Sequence, residues 1–113
     1  MSKKERIKKY GEVFTPTSLV NDMLDKLPPN IWKEDKKWLD NSCGRGAFLI
    51  EVRRRLIDAG WEETYVNEHM IYGVELQEDN ARYCVEVLGF KNIVCHDALT
   101  YNYEFLESDL YEV

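Results

Sequence analysis

WLDNSCGRGAFL, Trp38 to Leu49, is the stretch on which the reading of this 113-residue chain turns. An apolar pair runs into an acid, then a turn with Gly44 and Gly46 one residue apart, then an apolar run at helical spacing. That is the pattern of a strand, a tight loop and a helix start. Glycines at these positions let the backbone turn sharply and let a ligand approach without meeting a Cβ. A helix beginning near Ala47 adds the positive end of its dipole. Two readings fit: a nucleotide-type cofactor loop, or a glycine-containing connection with no chemistry of its own.

Outward from the loop, strand and helix alternate. A short strand is expected at Lys37 to Asp40, and a helix from the loop to Ala59 with Phe48, Leu49, Val52, Leu56 and Ala59 inward and Gly60 as its stop. Trp61 to Met70 reads as a connection with a helical turn, with Trp61 and Tyr65 packing back. Ile71 to Leu76 is a second strand, Glu78 to Leu88 a helix with Ala81, Cys84, Val85 and Leu88 inward, and Asn92 to Cys95 a third strand. Before the loop, Thr15 as cap and Pro16 at the first helical position start a helix whose face is Leu19, Val20, Met23, Leu24 and Leu27, ended by Pro28 and Pro29. Trp32 anchors the linker that follows. The alternation predicts an α/β fold with a short parallel sheet flanked by helices. After Leu99 the pattern fades into YNYEFLESDLYEV, with a final short strand at Leu110 to Val113.

Composition bounds the function. One domain fits in 113 residues, with 44% apolar and 32% charged residues, and no apolar run nears the ~18 residues of a membrane span. The N-terminal MSKKERIKKYGE lacks the apolar segment of a secretory signal, which places the protein in a cytoplasm. Cys43, Cys84 and Cys95 are odd in number and widely spaced, so they read as reduced thiols rather than a disulfide framework, and with His69 and His96 they form no metal-ligand spacing. The net charge of −6 is uneven: residues 1–55 carry 13 Lys plus Arg against 8 acids, and residues 56–113 carry 2 against 13. The acidic half cannot hold DNA through phosphate contacts. Lys3, Lys4, Arg6, Lys8 and Lys9, or the run Arg53, Arg54 and Arg55, are the candidates for such contacts, with solvated surface as the plainer role.

Three expected strands end in acids: Asp40, Glu75 and Asp97. In an open parallel sheet, ligands bind beyond the carboxyl ends of the strands, so these side chains gather on one rim. Glu75 is placed to accept from ribose hydroxyls, Asp97 to accept from an adenine amine, and Asp40 to meet an amino group. A pyrophosphate would be repelled by Asp40, whereas an adenosine with a cationic amino-acid tail matches all three acids, which favours S-adenosylmethionine over NAD. The incomplete G-x-G-x-x-G, with Leu49 at the last glycine position, also argues against a nicotinamide enzyme.

GEVFTP followed by an amphipathic helix, then LDNSCGRGAFL, YGVELQEDN and NIVCHDAL in that order, resembles the S-adenosylmethionine-binding part of adenine-specific DNA methyltransferases, in the subgroup of bacteriophages and type II restriction systems. The resemblance runs from residue 11 to about 103 and implies a partial Rossmann-like, class I methyltransferase fold. It implies three segments: a basic arm at 1–10, the cofactor-binding domain at 11–103 and a tail at 104–113. By the same resemblance, Phe14, Thr15 and Pro16 cover the methionine end of the cofactor. Asp40, Ser42, Gly44 and Gly46 surround its amino-acid moiety, and Phe48 supports the loop. Glu75 holds the ribose, Leu76 packs on the adenine, and Asp97 with Ala98 reads the adenine edge.

There are two departures. Asn41 stands where the family often has proline. The family's Asp/Asn-Pro-Pro-aromatic tetrapeptide, which orients the flipped target base, has no counterpart here: the one Pro-Pro, Pro28 and Pro29, precedes the loop and is followed by Asn30. No target-recognition region follows either. The chain is therefore expected to hold a cofactor site without base-orienting residues, to be inactive in methyl transfer alone, and to meet DNA weakly or through a partner. It would work in a bacterial host cytoplasm, with no membrane contact. The first strand would have an open edge, to be covered by the tail folding back or by a second copy, with a homodimer favoured; a complementary methyltransferase subunit is the other expected partner. A non-catalytic phage interaction or anti-restriction protein derived from a methyltransferase is the alternative from a different functional class.

Overall fold

The structure is a computed structural model that describes residues 15–103 and the backbone of a strand at 110–112. The basic arm expected at 1–10, Phe14 and the tail stretch 104–109 lie outside the described residues.

Helix α1 spans Thr17–Leu24 and starts one residue later than its sequence suggests. Pro16, with φ −63 and ψ 145, is itself the cap, and no side chain caps the helix. A proline φ suits either position, but the extended ψ leaves Pro16 outside the first turn. Val20 and Leu24 are buried, while Leu19 and Met23 remain about half exposed at 48% and 47%. The helix ends at Asp25, ahead of the prolines, and the chain then makes a 3₁₀ turn at Pro29–Lys33. That turn lays Trp32 flat on Trp38, with ring centroids 4.7 Å apart and planes 3° from parallel. Trp61 donates its indole N–H to the Trp32 carbonyl at 2.8 Å, which satisfies the polar atom of a largely apolar anchor.

Strand β1 is Lys37–Asp40, as its apolar pair and terminal acid suggest. Helix α2 spans Ala47–Asp58 and buries Leu49, Val52 and Leu56 completely. Each such side chain contributes roughly 1.5–3 kcal/mol. Phe48 and Ala59 are partly buried against the same cluster, and Gly60 follows at φ 113. A short helix α3, Glu63–Tyr65, runs into one π turn at Val66–Met70. Trp61 and Tyr65 stack at 5.6 Å, packing back as expected. Strand β2 is Ile71–Glu75 and is buried at every position, helix α4 is Glu78–Glu86, strand β3 is Asn92–Cys95 and strand β4 is Leu110–Glu112. On α4, Ala81 and Cys84 point inward as expected, but Val85 is 43% exposed and the inward place is taken by Asn80.

All strand pairs are parallel and the order is β3-β2-β1-β4. The fold is thus α/β, with a short parallel sheet flanked by helices. Alternation along the strands separates two faces. Trp38 and Ile71 enter the main core with the helices, whereas Leu39, Tyr72 and Val74 face a second cluster covered by Ala98, Tyr101 and Tyr103. The edge of β1 expected to lie open is taken by β4 of the same chain, with Lys37, Trp38 and Leu39 opposite Leu110, Tyr111 and Glu112. With β4 in place, that edge is no longer available to a second copy. Among the described residues no helix is long and apolar enough to cross a membrane.

Gly73, in the middle of β2, sits where the sheet leaves no room for a side chain. A Cβ there would lie 2.8 Å from Ile93 Cδ1, 3.0 Å from Cys43 Sγ and 3.1 Å from Leu49 Cδ1. Three side chains would have to shift together in a packed core. Gly73→Ala is expected to lower stability by about 1–3 kcal/mol, read as a lower midpoint in urea unfolding; an unchanged midpoint would contradict this packing.

Candidate functional site

The loop between β1 and α2 is held against the end of β2. Cys43 N–H donates to the Val74 carbonyl at 3.1 Å, and Gly44 N–H donates to Glu75 Oε1 at 3.0 Å. The Gly44 carbonyl accepts from the Cys84 thiol at 3.4 Å, so the Gly44 residue is gripped on both its amide and its carbonyl. The two glycines have different tasks. Gly44 has φ +54, and the direction in which a Cβ would project is open space. Gly46 has φ +87, but its Cβ would fall 2.7 Å from Leu88 Cδ1 and 3.6 Å from both Cys84 Sγ and Phe90 Cε2. Both need the left-handed region that glycine tolerates. The side of Gly44 where a Cβ would project is open to an approach, and Gly46 lets α2 pack closely on Leu88, just beyond α4.

Glu75 is 6% exposed and surrounded by donors. Besides Gly44 on Oε1, its Oε2 accepts from Gln77 N–H at 2.9 Å and from Asn80 Nδ2 at 3.4 Å. An ionised carboxylate has about four lone-pair sites, so this arrangement leaves acceptor capacity for about one further donor. Asp40, also 6% exposed, accepts Ser42 N–H on Oδ1 at 3.0 Å, which shapes the first bend of the loop. Asp97 is exposed and accepts Leu99 N–H on Oδ1 at 2.9 Å. His96 N–H donates to the Glu75 carbonyl at 3.1 Å, which carries the pairing of β2 and β3 one residue beyond β3 and keeps Asp97 beside the end of β2. Leu76 is 60% exposed at that end, an apolar side chain on a polar rim.

The structure therefore gathers Asp40, Ser42, Gly44, Glu75, Leu76 and Asp97 at the carboxyl ends of three adjacent strands. Gly46 and Phe48 lie beneath, Phe48 against the main core. Ala98 packs on the second sheet face. Thr15 and Pro16 sit at the start of α1, a helix braced on α2 by Arg55, which donates to the Asn21 carbonyl and side chain. Asn80 is the residue that sequence reasoning passed over. It lies four positions before Cys84, on the inward face, and a polar side chain at an inward helical position is a readable signal.

The arginine run is drawn partly into the fold, with Arg54 left on the exposed side. Arg53 donates to the Asn67 side chain and to the Leu88 carbonyl, with its guanidinium 4.3 Å from the Phe90 ring centroid. Arg54 pairs with Glu51 and Asp58, and Arg55 with Asp25 at 2.6 Å. Burial and like placement also set the thiols: Cys43 and Cys84 are buried, and the hydrogen bond with Cys84 followed by burial pushes the Cys43 thiol up, so it stays protonated. Cys95 is exposed. Among the described residues no group of three His, Cys, Asp or Glu side chains is placed to hold a metal ion.

Comparison with known proteins agrees with this architecture. The N-6 DNA Methylase family profile matches residues 1–112. The methylase subunit of the type I restriction enzyme MjaVII from Methanocaldococcus jannaschii is 32% identical over 101 residues, covering 89% of this chain and 15% of its own length. The crystal structure of a modification subunit assigned to a type I restriction enzyme from Vibrio vulnificus superposes with a TM-score of 0.62 at 19% identity, over 92% of this chain and 23% of that one. The chain thus spans less than a quarter of either relative. Both are type I subunits, where the motifs alone resemble the phage and type II subgroup.

Because Glu75 meets only donors, Glu75→Gln turns one acceptor into an amide NH₂ facing either Gly44 N–H or Gln77 N–H. The substitution is expected to cost about 1–3 kcal/mol of stability in the absence of any ligand, measured by urea unfolding. A variant as stable as the parent would show that the carboxylate does not hold the loop.

Proposed function

The chain belongs to the N-6 DNA methylase family, and from that premise we propose that its strand-end rim is the S-adenosylmethionine half-site of an adenine-specific DNA methyltransferase, within bounds of about 11–103. The observation that carries the reading is the buried Glu75 carboxylate, which anchors the glycine loop and still has acceptor capacity beside the open side of Gly44.

The residues present fit this cofactor. Two buried carboxylates and one exposed one, on three neighbouring strand ends, favour a cationic ligand and oppose a pyrophosphate. Asp40 would pair with the amino group of the methionine moiety, and the open approach at Gly44 would admit its backbone-like end. Glu75 would accept from the ribose, with the count of free lone pairs favouring one hydroxyl over two as the principal donor. Exposed Leu76 would cover one face of the adenine, and Asp97 would accept from its amine. Thr15 and Pro16, with Phe14, would close over the methionine end. When bound, S-adenosylmethionine supplies a methyl group on a sulfonium, open to attack by the exocyclic nitrogen of an adenine.

The 113 residues contain no Asp/Asn-Pro-Pro-aromatic tetrapeptide, the family element that would orient that adenine. Pro28 and Pro29 open the 3₁₀ turn before β1, at the opposite end of the strand from the rim, and Asn30 follows them. Base-orienting and DNA-binding residues would come from polypeptide beyond this stretch or from a complementary subunit. The relatives being methylase and modification subunits supports such an arrangement. The internally paired Arg53, Arg54 and Arg55 further support contact with DNA through other parts of the assembly.

Calorimetric titration tests the cofactor assignment. S-adenosylmethionine is expected to bind saturably to the 113-residue chain, and Glu75→Ala, checked for folding by circular dichroism, is expected to bind at least about tenfold more weakly through loss of a charge-assisted hydrogen bond. Undiminished binding in the folded variant would contradict the assignment.

A further inference from the structure

Asn80 lies in the first turn of α4, is 2% exposed, and carries its side-chain amide to Oε2 of Glu75. Its neighbours on the inward face, Ala81 and Cys84, are apolar or nearly so. Burying an amide among them is costly unless its hydrogen bonds matter. Helix entry alone does not require it, because Gln77 N–H already finds Glu75 Oε2 at 2.9 Å, and α4 has no side-chain cap in any case.

The three donors around Glu75 come from three different places: the loop after β1, the turn after β2 and the first turn of α4. The two backbone amides hold one carboxylate oxygen each, and the last torsion of a glutamate is otherwise broad and shallow. Asn80 adds a second, longer donor to Oε2 at 3.4 Å, which narrows the range of that torsion further. We propose that Asn80 is a positioning residue for the cofactor: it fixes the carboxylate plane of Glu75 so that the remaining acceptor site faces outward to a ribose hydroxyl. This inference rests on the ribose assignment above and adds a residue that does not itself touch the ligand. It also accounts for a polar side chain at a position where the helix pattern calls for an apolar one.

The test is a ligand cycle read by calorimetry. S-adenosylmethionine and its 2′,3′-dideoxyribose analogue are titrated into the parent chain, into Asn80→Leu, which is close in size and has no donor, and into Asn80→Ala, which removes the donor without placing a charge beside Glu75. Melting curves verify that each variant is folded, and Asn80→Ala serves where Asn80→Leu does not fold. In the parent the full cofactor should bind at least about tenfold more tightly than the dideoxy analogue. In the Asn80 variants that ratio should fall to within about threefold, while binding of the analogue changes little. A purely structural role would weaken both ligands and leave the ratio unchanged, and that result would overturn the inference. A parent that binds both ligands equally would remove the ribose assignment to Glu75, and the role of Asn80 with it; a parent that binds neither would remove the cofactor reading as a whole.

Discussion

The Gly44 N–H to Glu75 hydrogen bond is the constraint on which the remainder of the rim depends. It joins a loop that follows β1 to the last residue of β2, across 31 positions of sequence, and it does so with a carboxylate that is almost wholly buried. An ion so placed is tolerated because every close protein partner is a donor. The same contact sets the loop on the strand pair, and the loop sets the entry of α2 into the core. Stability of the sheet and shape of the candidate site are therefore one property here. A side chain that a sequence reader would reserve for a ligand is already spent, in large part, on the fold.

Much of this was legible in the residues. The apolar pair before Asp40, the continuous apolar run before Glu75 and the short run before His96 delimit the three strands to within a residue, because buried parallel strands are short, apolar and bounded by turns. Fold class followed from the alternation of strands and helices. Asp40, Glu75 and Asp97 were recoverable as neighbours because parallel strands bring their carboxyl ends to one side.

Other features depend on tertiary contacts that no local pattern encodes. Gly46 reads in the sequence as a second loop glycine, and nothing local shows that its missing Cβ also makes room for Leu88, a residue 42 positions away. Arg53, Arg54 and Arg55 looked like a charge run, yet two of the three guanidiniums lie over aromatic rings of the core edge. Leu19 and Met23 share a helical stripe with Val20 and Leu24 but not their burial, since α1 covers its neighbour with a narrower face than its composition offers. The final strand was readable near Leu110, but whether it or a second copy would fill the β1 edge was not, because Leu110 pairs with Lys37 far away in the sequence. Asn80 was hidden for the opposite reason: its signal was local, a polar residue on an inward face, but its partner was not.

The central claim, that this rim receives S-adenosylmethionine on a loop preformed by Glu75, is tested most directly by amide-resolved nuclear magnetic resonance of the chain titrated with the cofactor. The expected result is a saturable set of shifts confined to residues 40–46, 75–77 and 96–98, with the outer face of α2 unmoved and the Gly44 amide slow to exchange before any ligand is added. Shifts that cluster elsewhere, or a Gly44 amide that exchanges freely in the ligand-free chain, would contradict it.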